Sequence, residues 1–218
     1  MNILETFENS IATLPPGVLG PPAVQDLDGV VRLHLRTFPD SFITPFGRRF
    51  IRLYYEALLS FPGSIFVVYR DDSNHICGMA AGAQSPRQFH VFLLRRYSLR
   101  ALAALLTCRP GTILNLTRRM VQKLLGRTEA DSGVRADAEC MVMAVDLSLR
   151  DPSVAAFLTA AFLRGAQTQG ARSVLSGIRV DNPRLLRFAH MFGYQDVCRE
   201  RRPDGHEMQI LLWLPHER

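Results

Sequence analysis

The clearest pattern of apolar and polar positions lies between Glu139 and Tyr194. The run from Glu139 to Asp146 is short, apolar and bounded by polar residues, which predicts a buried strand. Asp151 and Pro152 then suit the N-cap and the first position of a helix. The inward face of that helix repeats at spacings of three and four residues. It consists of Val154, Phe157, Leu158, Ala161 and Phe162.

A second strand and a second helix complete this unit. The strand is predicted over 172–180, and Asp181-Asn182-Pro183 opens the helix. Gly170 and Gly193 end the two helices. A strand–helix–strand order implies parallel strands joined by a right-handed crossover. The N-terminus of the first helix is where such units hold an anion.

Upstream, two helices and a hairpin are predicted after a proline-broken lead-in at 1–22. A short strand is expected near Ala23-Val24, and helices over 27–38 and from Thr44 to Phe61. Strands follow at 64–70 and 76–83, and two final strands at 195–199 and 207–214. His34 is interpreted as a packed core or rim histidine. The aromatic residues Phe42, Tyr54 and Tyr55 are interpreted as core, with the lining of a ligand site as the alternative. The small residues of the 76–83 strand indicate close packing, either by a helix or by a ligand.

Residues 86–128 carry the positive charge of the chain. They contain nine Lys or Arg and no Asp or Glu, and because the whole chain carries +6, the other residues together carry −3. Apolar residues at helical spacing predict two or three basic amphipathic helices, broken at Arg109-Pro110-Gly111. Such helices attract anionic surfaces: the inner membrane face, a lipid-linked intermediate, an acyl carrier protein or coenzyme A. An exposed basic lid without a partner is the other interpretation. Nucleic acid is not favoured, because no recognised nucleic-acid-binding motif accompanies the charge.

Composition favours a folded protein in a reducing compartment. Hydrophobic residues make up 47% of the 218 residues. The four cysteines, Cys77, Cys108, Cys140 and Cys198, have no paired spacing, so buried reduced thiols are favoured over metal ligands. The sequence shows neither a signal peptide nor a stretch of roughly 20 apolar residues. We therefore expect a cytoplasmic protein, with the inner membrane face as a candidate surface for the basic helices, and no metal.

The βαβα stretch resembles motifs A and B of the GCN5-related N-acetyltransferases. Those proteins carry Val-Asp-Pro at the end of a strand, then Arg-x-x-Gly-x-Gly/Ala at a helix start, and later Asp-Asn and Gly-Phe or Gly-Tyr. The corresponding residues here are Val145-Asp146-Leu147, the run 150–155 (Arg-Asp-Pro-Ser-Val-Ala), Asp181-Asn182 and Phe192-Gly193-Tyr194. The register needs no gap. The close match covers about the last third of the chain.

This sequence differs from that family at two functional positions. Asp151 and Ser153 stand where glycines usually let backbone N–H groups approach the coenzyme A pyrophosphate. An N-cap carboxylate competes for those N–H groups, and Pro152 removes another donor. Ala189 stands where a Tyr often reprotonates the departing thiolate. His190 is its neighbour but lies roughly 100° around the helix.

The patterns and the resemblance together imply an α/β fold. We expect a mixed, mostly antiparallel sheet of about seven strands flanked by helices, with a helical insertion at about 86–128. The lead-in would cover 1–22 and a single acyltransferase domain 23–218. By the resemblance, the cofactor-binding residues comprise three groups. They are the strand backbone at Met143, Ala144 and Val145; the loop residues Arg150, Asp151, Ser153, Val154 and Ala155; and Asn182.

The resemblance implies an acyltransferase that uses acetyl-CoA or another acyl-CoA. An amine of a small molecule or sugar would attack the thioester directly, and we expect Glu139 to act as general base, directly or through water. A strand-end carboxylate in solvent is the alternative role for Glu139. Two other functions remain open. One is an N-acyltransferase fed by an acyl carrier protein, and the other is a non-catalytic binding module of the same fold.

Overall fold

The computed structural model describes residues 3–14, 18–41, 43–106, 135–149, 151, 153–201 and 205–215. Within them lie seven strands, six α-helices and two 3₁₀ turns. The helices are α1 (Ile3–Ile11), α2 (Leu27–Thr37), α3 (Gly47–Ser60), α4 (Pro86–Leu106), α5 (Ser153–Thr168) and α6 (Pro183–Met191). The strands are β1 (Leu19–Gly20), β2 (Ser64–Arg70), β3 (Ile76–Gln84), β4 (Ala138–Val145), β5 (Val174–Arg179), β6 (Tyr194–Arg201) and β7 (Glu207–Trp213).

The strands form one mixed sheet in the order β1-β2-β3-β4-β5-β7-β6. The β4–β5 pair is parallel, and the other neighbouring pairs are antiparallel. The parallel pair is joined through α5, as the strand–helix–strand pattern predicts. The prediction of a mixed, mostly antiparallel α/β sheet flanked by helices is therefore confirmed.

Two apolar clusters cover the two faces of the sheet. On one face α5 packs with α1, and its buried residues include Leu158, Phe162 and Leu163. On the other face α2 and α3 pack with the start of α4. The ring of Phe7 on α1 contacts Phe157 and Phe192 at centroid distances of 5.8 and 5.7 Å. The segment predicted as a lead-in thus contributes a helix to the core and β1 to the sheet edge.

The predicted strand at Ala23-Val24 is wrong. Val24–Asp26 forms a 3₁₀ turn, and the first strand lies earlier, at Leu19–Gly20. The turn forms because a carboxylate oxygen of Asp26 accepts the Ala23 N–H at 2.6 Å. The same carboxylate pairs with Arg70 at 2.7 Å, which ties the turn to β2.

Glycines in β3 let α5 approach the sheet closely. A Cβ on Gly78 would lie 2.8 Å from Leu158, and one on Gly82 would lie 2.8 Å from the ring of Phe162. Close helix packing therefore accounts for the glycines of this strand.

The basic segment begins with one helix, α4, which continues without a break to Leu106. The break expected at 109–111, the later helices and most of the polar linker at 129–137 lie outside the described residues, as does Cys108. Cys77 and Cys140 are buried free thiols, and burial raises the pKa of Cys140 to about 12. The described part of the chain contains no cluster of His, Cys, Asp and Glu that could hold a metal ion.

Candidate active site where β4 and β5 separate

The central feature of the site is a separation between two parallel strands. The β4–β5 pairing covers three residue pairs and ends at Cys140 and Ser176. Beyond that point β4 continues along β3 up to Val145, and β5 continues along β7. In the described structure, the backbone from Met143 to Val145 therefore has a strand neighbour on the β3 side only. Its other edge offers N–H and C=O groups to a ligand.

A β-bulge lies where the strands begin to separate. Ala81 pairs with Val142, but Gly82 pairs with Cys140, so Met141 is an extra residue on β4. Met141 and Val142 consequently pack on the same face of the sheet. A bulge bends its strand and increases the local twist. A Cβ on Gly82 would lie 1.9 Å from the carbonyl oxygen of Glu139, so the bulge requires glycine there.

Glu139 lies on β4 directly before the bulge and is half-buried. It pairs through its backbone with Ala83 on β3 and Leu175 on β5. Burial is the main cause that raises the pKa of Tyr54, and the negative charge of Glu139 raises it further. Tyr54 therefore stays protonated at neutral pH. Glu139 thus lies near a buried neutral hydroxyl on α3, at the base of the strand separation.

The loop after β4 contains two Asp-x-Ser turns. Asp146 Oδ1 accepts the Ser148 N–H at 2.9 Å and its hydroxyl at 2.8 Å. Asp151 Oδ1 accepts the Ser153 N–H at 2.9 Å and its hydroxyl at 2.5 Å. We call these four residues the Asp-Ser loop. Hydrogen bonds from serine lower the pKa of both aspartates. The largest contribution comes from the Ser148 backbone N–H for Asp146 and from the Ser153 hydroxyl for Asp151.

The structure therefore places Asp151 as the cap of α5. Its carboxylate holds an N–H group at the helix N-terminus, which a phosphate would otherwise approach. Arg150 and Pro152 lie outside the described residues. The side chain of Val154 is buried in the core, so only its backbone faces the loop. The Ala155 carbonyl accepts the Thr159 hydroxyl at 2.8 Å.

Asn182 caps the other helix of the unit. Its side-chain oxygen accepts the Leu185 N–H at 3.1 Å, at the start of α6. Ala189, on α6, is buried in the core. Its neighbour His190 instead pairs with Asp196 at 3.0 Å on an exposed surface. Asn182 thus has a capping role, and neither position 189 nor position 190 presents a proton donor to the strand separation.

A buried polar network lies on the α2–α3 side of the sheet. His34 is 2% exposed; its Nδ1 lies 2.8 Å from the Tyr55 hydroxyl and its Nε2 lies 3.2 Å from the Ser41 hydroxyl. Ser41 contacts the Thr44 hydroxyl at 2.8 Å, and Thr44 donates to the Phe38 carbonyl at 2.6 Å. We call His34, Ser41, Thr44 and Tyr55 the His34 network. It ties the α2–α3 loop to the core.

Burial lowers the pKa of His34 to about 4, so the imidazole is neutral at pH 7. His34 is a packed core residue, as its place on the α2 face predicts, and Tyr54 and Tyr55 are also core residues. Phe42 lies outside the described residues. The partners of His34 were not predicted, because Tyr55 is 21 residues from His34. The one available signal was a histidine on an apolar helix face, which needs a buried partner.

An ion pair joins α2 to the end of β4. Arg36 donates to Asp146 at 2.8 and 3.1 Å in a bidentate arrangement. A small surface cavity beside this pair is lined by Leu33, Arg36, Thr37, Asp146 and Leu147. The pair fixes the first aspartate of the Asp-Ser loop against the helix that carries His34. No pattern in the sequence predicts this contact, since the two residues are 110 positions apart.

No family model matches the sequence, and no curated protein matches it. Solved structures do match its fold. A structure described as an acetyltransferase has a TM-score of 0.62 at 14% identity, over 91% of this chain and 99% of that one. The structure of the NatC complex bound to Gag peptide and CoA has a TM-score of 0.57 at 13% identity, over 91% of this chain and 98% of that one. Arylalkylamine N-acetyltransferase 2 from Aedes aegypti has a TM-score of 0.55 at 14% identity, over 90% of this chain and 97% of that one. The chain thus has the fold of the GCN5-related N-acetyltransferases.

Proposed function

We propose that this protein is an N-acyltransferase that moves an acetyl or other acyl group from acyl-CoA to an amine of a small molecule or sugar. The observation that carries the proposal is the strand separation after Cys140, in a fold shared with N-acetyltransferases. It leaves an extended backbone edge beside a buried, partly polar region. Direct attack of the amine on the thioester needs both a bound donor and an adjacent base.

The open edge of β4 fits the pantetheine arm of the donor. Pantetheine contains two amide groups, which can hydrogen-bond to an extended backbone as a neighbouring strand does. In this proposal Met143, Ala144 and Val145 contribute their main chain. The side chains of Met143 and Val145 pack toward α5, and that of Ala144 packs toward α2 and α3. The donor would therefore be bound without any special side chain on this strand.

The pyrophosphate of coenzyme A fits the chain less well. In this proposal it approaches the start of α5, at Arg150, Asp151, Ser153, Val154 and Ala155. The Asp151 carboxylate already accepts the Ser153 N–H and would repel a phosphate. Binding of the nucleotide end then depends on Arg150 and on the remaining backbone N–H groups. Asn182 would support the donor only through atoms that its cap to Leu185 leaves available.

Glu139 is the proposed general base. An amine is protonated at neutral pH, and a proton must leave before or during its attack on the thioester. Glu139 lies directly before the bulge, where the strands begin to separate. Nearby Tyr54 is held neutral by burial and by this carboxylate. The acceptor would enter from the α2–α3 side, over the loop that the His34 network holds.

A second donor is favoured by the cap at Asp151. An acyl carrier protein presents pantetheine from a phosphoserine and lacks the adenine nucleotide, so it needs no pyrophosphate loop. The open edge of β4 would serve this donor equally. A non-catalytic module of the same fold remains as a third candidate, because Ala189 supplies no acid for the thiolate.

Calorimetric titration of the purified chain tests these alternatives. The donors to compare are acetyl-CoA, acetyl-pantetheine and an acidic acyl carrier protein loaded with an acetyl group. If acetyl-CoA binds with micromolar affinity and much more tightly than acetyl-pantetheine, the result supports an enzyme that uses acyl-CoA as its donor. Binding of the loaded carrier alone supports the carrier-fed enzyme. Binding of none of them contradicts both enzymes and leaves the non-catalytic module.

A further inference from the structure

Helix α4 has an apolar inner face that is already covered. Phe89 and Tyr97 are buried against α3, and Phe92 and Leu93 are partly buried beside them. The ring of Phe89 packs edge-on against Tyr54 at a centroid distance of 5.4 Å. A surface helix of a globular protein usually has one such apolar stripe and a polar opposite face.

The opposite face of α4 exposes three aliphatic side chains among polar ones. Val91 is 46% exposed, Leu94 58% and Leu99 81%. At 100° per residue Val91 and Leu94 project away from Phe89, and Leu99 lies about 80° from Phe89, at the border between the covered and the exposed face. Single exposed aliphatic residues need no explanation, but a group of three on one helix face marks an interaction surface.

The charge around these residues has a single sign. Helix α4 contains no Asp or Glu. Arg100 is neutralised, because it donates to Glu56 at 2.7 and 3.1 Å. For Arg87, Arg95 and Arg96, the described residues provide no ion-pair partner. Arg87 and Arg95 lie on the same side of the helix as Val91 and Leu94, whereas Arg96 is exposed but lies at the helical angle of Phe89. We call this surface, formed by Arg87, Val91, Leu94, Arg95 and Leu99, the outer face of α4.

We infer that the outer face of α4 docks onto the anionic surface of a lipid bilayer. Aliphatic side chains enter the region between headgroups and acyl chains, while arginines bind the lipid phosphates. A single helix face is convex, and a fluid lipid surface can adapt to it without a preformed groove. The helix would lie in the interface, since none of the described helices is long and apolar enough to cross a membrane. This inference does not depend on the proposed enzymatic activity.

Co-sedimentation of the full chain with vesicles tests the inference. Vesicles of phosphatidylcholine alone are compared with vesicles that also contain phosphatidylglycerol, at low and high salt. We expect binding only to the anionic vesicles, weakened by salt. Leu94→Ser with Leu99→Ser should reduce binding by about tenfold or more, because the aliphatic contacts are lost. Arg87→Gln with Arg95→Gln should reduce binding to the anionic vesicles by about tenfold or more.

Two control variants test whether vesicle binding depends on the outer face of α4 or on exposed apolar and basic residues in general. Val24→Ser with Met191→Ser removes two apolar side chains that are 62% and 57% exposed elsewhere. Arg184→Gln with Arg187→Gln removes two exposed arginines from α6. Both controls should bind as the unaltered chain does. The inference is overturned if the chain binds neither type of vesicle, if it binds both equally, or if the controls lose as much binding as the α4 variants. Binding of an acidic carrier protein without vesicle binding would also overturn it.

Discussion

The Asp-Ser loop and the His34 network, two polar groups near the strand separation, have opposite electrostatic properties. In the loop, serine donors keep two carboxylates ionised near the surface. In the network, burial keeps His34 neutral and Tyr55 protonated. Burial also keeps Tyr54, the residue before Tyr55, protonated. The loop therefore presents the ionised Asp151 beside the Arg36–Asp146 ion pair, and the network is uncharged except for Glu139 nearby.

This difference separates the parts of the site that depend on backbone from those that depend on side chains. The open edge of β4 follows from the bulge and the diverging strands, so many sequences can produce it. The anion site at the start of α5 requires N–H groups that no side chain occupies. The fold is therefore shared at 13–14% identity with acetyltransferase structures, while in this chain the Asp151 carboxylate accepts an N–H group at the helix N-terminus. The following predictions test each side in turn.

The largest expected effect belongs to Glu139, at the base of the separation. With an amine from a panel of amino sugars and primary amines that supports turnover, Glu139→Gln should reduce the transfer rate by about a hundredfold or more. The affinity for acetyl-CoA should stay unchanged, since the proposed donor contacts are backbone atoms of Met143–Val145. Higher pH should restore part of the rate, because more of the amine is then unprotonated.

The matched control for that variant is Glu207→Gln, at the exposed start of β7, which should keep the full rate. An unchanged rate in Glu139→Gln would remove Glu139 from the mechanism. An equal loss of donor binding would assign the residue a structural role instead.

The next effect concerns the bulge that opens the strands. Gly82→Ala places a Cβ 1.9 Å from the Glu139 carbonyl oxygen and 2.8 Å from Phe162. We expect the free energy of unfolding to fall by about 3 kcal/mol, because backbone must shift to relieve the contact. Gly20→Ala is the control, since a Cβ there has no neighbour within 4 Å. Urea unfolding measures both. A small change at Gly82 would mean that the bulge can relax without cost.

The His34 network gives the protein a stability that depends on pH. The folded-state pKa of His34 is about 4, against 6.5 for an ordinary histidine. Below pH 6.5 the unfolded chain binds a proton that the folded chain does not, so stability falls as pH drops toward 4 and then levels off. The loss between pH 7 and pH 5 should be about 2 kcal/mol. His34→Gln should lower stability at pH 7 and remove this part of the pH dependence. If its pH profile matches the unaltered chain, the network does not control it.

Hydrophobic periodicity predicted most of the elements, because it records which face of each helix or strand is buried. The strands at 64–70 and 76–83 and the βαβα unit were placed within a few residues of their observed bounds. The strand at Ala23-Val24 failed for a local reason. A hydrogen bond from Ala23 to the Asp26 carboxylate, itself held by Arg70 on β2, closes a turn that an apolar dipeptide does not reveal.

The site was only partly predictable for the same physical reason. The cap at Asp151 is local, so residues two apart were enough to anticipate the competition with phosphate. The contacts of His34 with Tyr55 and of Arg36 with Asp146 join residues 21 and 110 positions apart. Their existence depends on how α2, α3 and β4 pack, which periodicity does not specify. The bulge at Met141 depends on register and was missed as well.

The smallest expected effect concerns the Asp-Ser loop and tests whether the start of α5 binds the phosphates of coenzyme A. Asp151→Gly with Ser153→Gly removes the carboxylate from the start of α5 and frees an N–H group. If coenzyme A binds there, its affinity should increase by about tenfold, while that for acetyl-pantetheine should not change. The control is Asp71→Gly with Ser73→Gly, in the β2–β3 turn, where Asp71 accepts the Ser73 N–H at the same 2.9 Å. Both are measured by calorimetry. If neither variant changes the affinity for coenzyme A, the loop has no phosphate role, and a donor that lacks the nucleotide then fits the open edge of β4 better.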